Sequence, residues 1–205
     1  MKKTIALMTI LALCFSLCAC GKDAAEQVPT GTGTVADPAD LEPVSFTVPS
    51  EYLDENRTQA DYDAEAAEYG FASATLNADR SVSYVMTKGQ HREMLARLAE
   101  EIDKALSNMT ASGEYPNFVS ITHNEGFTEF KVVSRASQLN ENELSASWAI
   151  THFSELYAAF AGGSEGNCHI DYVNEKDGEV FGVGDSSEME AALAGLVGAA
   201  GLRSD

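Results

Sequence analysis

The sequence predicts an α+β fold, a largely antiparallel sheet built from three β-hairpins plus an N-terminal strand, with helices packed on one face. Three observations predict it. Short runs of alternating apolar and polar residues come in pairs flanking turn residues, as Phe71–Leu76 and Ser81–Met86 flank Asn77-Ala78-Asp79-Arg80. Longer stretches of helical period follow these pairs, each opened by a capping signal. The turn asparagines Asn77, Asn124 and Asn174 recur at nearly constant spacing, so strand-turn-strand-helix repeats three times along the chain.

Val44, Phe46 and Val48 alternate with Ser45 and Thr47 as a half-buried strand does, and Pro49 ends it. Residues 59–69 form a short acidic helix with Tyr62, Ala66 and Tyr69 on one face and Gly70 as its C-cap. After the first hairpin, Thr87 caps a helix to about Met109, with Gln90 completing a capping box. Leu95, Leu98, Ile102, Leu106 and Met109 are its apolar stripe. The second hairpin is Phe118–His123 and Phe127–Val133 around Asn124-Glu125-Gly126. The helix after it starts at Asn140 with Glu143 as box partner, buries Ala146, Ile150, Phe153, Tyr157 and Phe160, and stops at Gly162-Gly163. The third hairpin is His169–Val173 and Glu179–Val183, followed by a weaker helix from Ser187 with Leu193 and Val197 inward.

What precedes this body has a different character. Lys2 and Lys3 open the chain, and an apolar run too short to span a bilayer follows, closing Leu17-Cys18-Ala19-Cys20-Gly21. This end resembles the signal peptide and lipobox of bacterial lipoproteins. The resemblance implies cleavage before Cys20 and a covalent diacylglyceryl lipid on that sulfur. Residues 1–19 are then a lipoprotein signal peptide, and residues 20–42 an acylated cysteine with a flexible acidic tether. Residues 43–205 are a single α+β extracytoplasmic domain. As a random coil the tether spans about 25 Å. The expected location is the outer face of the cytoplasmic membrane, held there through the lipid anchor.

Formal charge is −19, which disfavours nucleic acid and anionic headgroups as partners and leaves the lipid to hold the protein at the membrane. Cys14 and Cys18 leave with the signal and Cys20 is acylated, so Cys168 is alone in the body and no intramolecular disulfide is expected.

The chemistry-bearing residues are few. His169 and Asp171 stand two apart on a strand, point to the same side, and are the candidate metal ligands, with no local third. Trp148, His152 and Glu155 fall on one side of their helix, off its main stripe, and are the candidate ligand-binding strip. A second buried face is the competing reading of Trp148. No Gly-x-Ser-x-Gly elbow, phosphate loop or EF-type loop is present, so no catalytic residue is assigned.

Over the body, SFTVPSEYL, LNADRSVSYVMTKGQHREM and HNEGFTEFKV resemble stretches of small lipoproteins of Gram-positive anaerobes. That resemblance implies neither an activity nor catalytic residues. The expected function is a non-enzymatic, lipid-anchored surface protein, free of cofactors, that binds a protein, cell-wall or small-molecule ligand. The alternatives are a small metal-dependent or hydrolytic envelope enzyme and a solute-binding accessory of a transporter.

Overall fold

A computed structural model of the chain describes residues 37–163 and 166–188. The signal peptide, Cys20 and nearly all of the predicted last helix lie outside the described residues. The body expected as one domain divides by its contacts into two compact units, with the boundary between Glu101 and Ile102. Both are α+β.

The first unit holds a three-stranded antiparallel sheet of order β1-β3-β2, from β1 (Pro43–Val48), β2 (Ser73–Leu76) and β3 (Val82–Thr87). Alternation sorts its faces. Phe46, Val48, Ala74, Val82, Tyr84 and Met86 are buried on one side, while Thr47 and Ser83 share a hydroxyl hydrogen bond of 3.0 Å on the other. Helix α1 (Gln59–Tyr69) ends at Gly70, whose φ of 70° is the left-handed cap that glycine supplies without strain. Its Gln59 amide reaches the outer edge of β2, donating to Ala74 O at 2.8 Å and accepting from Leu76 N at 2.7 Å. That side chain occupies the place of a fourth strand, so the sheet stops there.

Arg80 takes a left-handed φ of 70° in the β2-β3 turn, where glycine would sit more easily. Its guanidinium donates to the carbonyls of Glu55 and Arg57, tying the turn to the segment before α1. Residues 37–42, expected as the end of the free tether, are also fixed. They form a 3-10 turn (Pro38–Leu41) in which Asp40 accepts two hydrogen bonds from Arg92, at 2.8 and 3.0 Å, and Glu42 pairs with Lys88. Residues 37–42 therefore belong to the folded first unit.

Helix α2 (Lys88–Ala111) starts in the first unit and ends in the second. Its Thr87–Gln90 box forms in both directions, at 2.9 and 3.2 Å, and of the expected stripe Leu98, Ile102, Leu106 and Met109 are buried while Leu95 is half-buried.

The second unit holds a four-stranded sheet in the order β4-β5-β6-β7, from β4 (Phe118–His123), β5 (Glu129–Ser134), β6 (His169–Asn174) and β7 (Val180–Asp185). The hairpins β4-β5 and β6-β7 are antiparallel, but β5 and β6 run parallel. The parallel pair makes this sheet mixed where a largely antiparallel one was expected, and the strands form two sheets, not one. Helix α3 (Glu141–Phe160) is a crossover that returns the chain beside β5 in the same direction, as parallel pairing demands. It lies on the face carrying Phe130, Val132, Ile170 and Tyr172, all buried. The Ser147 hydroxyl meets the Tyr172 hydroxyl there.

Glu143, fully buried, fastens the start of α3. It accepts from the Asn140 and Asn117 amides, each at 3.1 Å, while Glu143 N donates to Asn140 Oδ1 at 3.0 Å. Past the helix, Gly166 packs so tightly that a Cβ there would fall 2.3 Å from Glu155 Cα. That close passage delivers Cys168 and β6 against α3.

Candidate functional site

Two clusters in the second unit hold the residues singled out from the sequence. The first is the outer side of α3. Trp148 is 44% exposed, so the second-core-face reading gives way to the exposed one. His152 lies a turn later, half-buried, with Nδ1 3.7 Å from Glu155 Oε2. Spacings of four and three residues put all three on one side of the helix. The structure adds Leu144, 60% exposed one turn before Trp148. Its signal in the sequence was its place four residues ahead of the tryptophan, off the core stripe. The strip therefore grades from apolar at Leu144 and Trp148 to polar at His152 and Glu155.

The second cluster lies on the opposite face of the sheet. The register pairs His169 with Asp185 and Asp171 with Val183, so both candidate ligands do share a side, as their spacing predicted. They do not leave a ring nitrogen free. His169 Nδ1 is 2.8 Å from Asp185 Oδ1 and Nε2 is 3.1 Å from Asp171 Oδ1. Each carboxylate is an acceptor, so both contacts are hydrogen bonds only when both nitrogens carry protons. The Asp185 bond, then the Asp171 bond, holds the imidazole above its ordinary range. Asp185, which sequence spacing did not reach, is the partner that hairpin register supplies. The arrangement is a histidine held between two carboxylates, clamping β6 to β7. Among the described residues no group of three histidine, cysteine or carboxylate side chains is placed to hold a metal ion.

The triad has a testable titration. A histidine raised in the folded state adds stability that is present below its unfolded value near 6.5 and is lost as pH rises through the folded value. NMR of the His169 ring should give a midpoint above 6.5. Asp185→Asn should lower it more than Asp171→Asn, because the Asp185 bond is the shorter. A midpoint indifferent to both changes would refute the clamp.

The other histidines are dispersed. His91 stacks on Phe46 with centroids 4.7 Å apart, and His123 stacks on Phe127 at 4.1 Å while its Nε2 lies 2.7 Å from Asp103 Oδ1. Cys168 is buried, with Sγ 3.8 Å from Thr151 Oγ1, and burial pushes its thiol up, away from nucleophilic character.

The first unit contributes a buried ionic group that the sequence did not signal. Glu65 on α1 is 5% exposed, pairs with Arg57, and accepts from the Tyr84 hydroxyl at 3.3 Å. Arg57 also lies over the Tyr62 ring, 4.2 Å from its centroid. The cluster ties α1 to β3 and to the segment before the helix, and so holds the unit together. No family model, curated protein or solved structure matches this chain.

Proposed function

We propose that this chain is a lipid-anchored, extracytoplasmic binding protein, with Cys20 as the lipidated residue and the Leu144–Trp148–His152–Glu155 strip as a contact surface. The single observation that carries the binding reading is the exposure of Trp148. An exposed tryptophan beside an exposed leucine and a polar pair has the composition of an interface anchor, which gains most when its ring is desolvated by a partner. The anchor reading rests on Leu17-Cys18-Ala19-Cys20. Two acyl chains suffice for stable attachment without a basic patch, in keeping with so acidic a chain.

The two halves are tested separately. Chains expressed with their own leader in a lipoprotein-processing bacterium should enter the detergent phase of a phase-partition assay and take up labelled fatty acid. Cys20→Ala should move the protein to the aqueous phase, and equal partition of both would end the anchor reading. The chain and its Trp148→Ala variant are then titrated with detergent-solubilised envelope proteins and with purified cell-wall polymers. Saturable binding that weakens roughly tenfold or more on losing the ring is expected. Binding unaffected by Trp148→Ala, or none to any fraction, would overturn the contact surface.

A further inference from the structure

The outer edge of β7 differs from the other sheet edges in the described residues. β2 is closed by the Gln59 amide and β1 opens with a proline, while β4 and β7 are each irregular at one end only, but β4 exposes no large apolar side chain. Among the described residues β7 pairs with β6 alone, and its irregularity lies at the Val180 end, leaving Gly182–Asp185 in regular register. Natural edges are guarded by lysine, proline or a covering element. Val180–Asp185 carries no lysine, arginine or proline.

Its side chains make the edge adhesive. Val180 and Val183 are 52% and 60% exposed, two of the few large apolar residues in the described chain that face solvent so openly. Backbone direction follows from the ladder. Ser186 N donates to Cys168 O at 3.1 Å, and hydrogen-bonded positions alternate along an antiparallel pair. Gly184 and Gly182 therefore turn their backbone groups toward β6, and Val183 and Asp185 turn theirs to the open side.

We infer that β7 is an acceptor edge for an extended segment of another polypeptide, added as a fifth strand, with a basic residue toward the Asp185 end. Main-chain bonds to Val183 and Asp185 supply the attachment, and contact with Val183 supplies the apolar part. Charge selects the partner. Glu179 and Glu188 flank the strand and Asp185 closes it, so a second copy would bring these carboxylates together on two chains each of formal charge −19. A segment with lysine or arginine meets them favourably. This deepens the binding-protein reading by naming a partner chemistry on a surface separate from Trp148.

The test uses the full chain and a synthetic peptide of alternating valine and threonine with lysine at each end. Controls are the same peptide with glutamate ends and one N-methylated at alternate positions. The lysine peptide should bind, slow amide exchange at Val183 and Asp185, and lose binding on N-methylation. The glutamate peptide should bind roughly tenfold more weakly at low salt. Val183→Pro removes the outward donor, and Val183→Lys keeps it but repels the lysine ends. Each should weaken binding roughly tenfold, the first by one lost hydrogen bond and the second by like-charge repulsion at low salt. Trp148→Ala should leave peptide binding unchanged, so the two surfaces fail independently. Unaltered exchange at Val183 and Asp185, equal affinity for both charge types, or binding insensitive to Val183→Lys would overturn the inference, as would self-association blocked by that variant. If Val183→Pro does not fold, Val183→Lys and the exchange data decide.

Discussion

Phe153→Ala is expected to destabilise the protein by about 3–5 kcal/mol, as truncation of a buried phenylalanine does. The ring is 3% exposed on the side of α3 that also buries Ala146, Ile150 and Phe160. That side lies on the sheet face of Phe130, Val132, Ile170 and Tyr172, and the helix is held at its start by the buried Glu143. Neighbours fixed so tightly are poorly free to collapse into the space left, so the cavity adds to the lost transfer energy. Phe153→Leu keeps most of the volume and should cost less than about 1.5 kcal/mol. Trp148→Ala, on the open side of the same helix, should stay within about 0.5 kcal/mol. Urea denaturation followed by circular dichroism at a common pH ranks the three. Equal midpoints for Phe153→Ala and Trp148→Ala would show that the stripe and the strip had been confused.

Helix α3 also shows why some of the structure was legible. Its cap, its box partner and its buried stripe are all local patterns, and they formed as spacing required except at Tyr157, which is only half-buried: Asn140 caps, Glu143 reaches back, and Ile150 and Phe153 point inward. The three hairpins were legible for the same reason, since a turn between two alternating runs leaves few other pairings. What α3 does to the sheet was not legible. Whether β6 returns parallel to β5 depends on where a 20-residue crossover deposits the chain, and no residue in either strand encodes that locally. Nor did any local pattern announce Gln59 as the plug on β2, because a side-chain amide bonding an edge strand leaves no periodicity. The regular spacing of the turns suggested one repeating sheet; the structure divides the strands into two.

The site divides along the same line. His169 and Asp171 share a face because the strand period is two, and that much follows from spacing alone. Asp185 joins them only through the β6-β7 register, and its arrival turns a candidate pair of metal ligands into an imidazole clamped between two carboxylates. Trp148 was placed off the core stripe by helical period, yet its exposure depended on what else packs beside α3. Glu65 went unnoticed because a glutamate among acids on a short helix reads as solvated. Its burial is set by Tyr84 on a strand and Arg57 ahead of the helix.

That buried carboxylate gives the other large effect. Arg57→Ala should destabilise the protein at neutral pH by about 3 kcal/mol, the lower end for breaking a buried pair, since Arg57 itself is partly exposed. The loss should depend on pH. Burial pushes the Glu65 carboxyl above its ordinary range, while the Arg57 charge and then the hydrogen bonds from Arg57 and Tyr84 oppose it. Without Arg57, burial is resisted only by the Tyr84 hydroxyl, which stays protonated because burial and the Glu65 charge push it far up. The carboxyl then rises further. An acid raised in the folded state contributes stability that is present below its unfolded value, near 4.5, and is lost as pH climbs through the folded one. The difference between Arg57→Ala and the parent should therefore be small at acid pH, widen as pH rises through the raised value, and level off beyond it. Glu65→Gln added to Arg57→Ala removes the titrating group and should flatten the difference, because a neutral amide needs no counter-charge. Denaturation of the parent, single and double variants across that range reads the effect directly. A pH-independent gap between parent and Arg57→Ala would mean that the guanidinium acts through its stacking on Tyr62 and its bond to the Asp61 carbonyl, with Glu65 as a bystander.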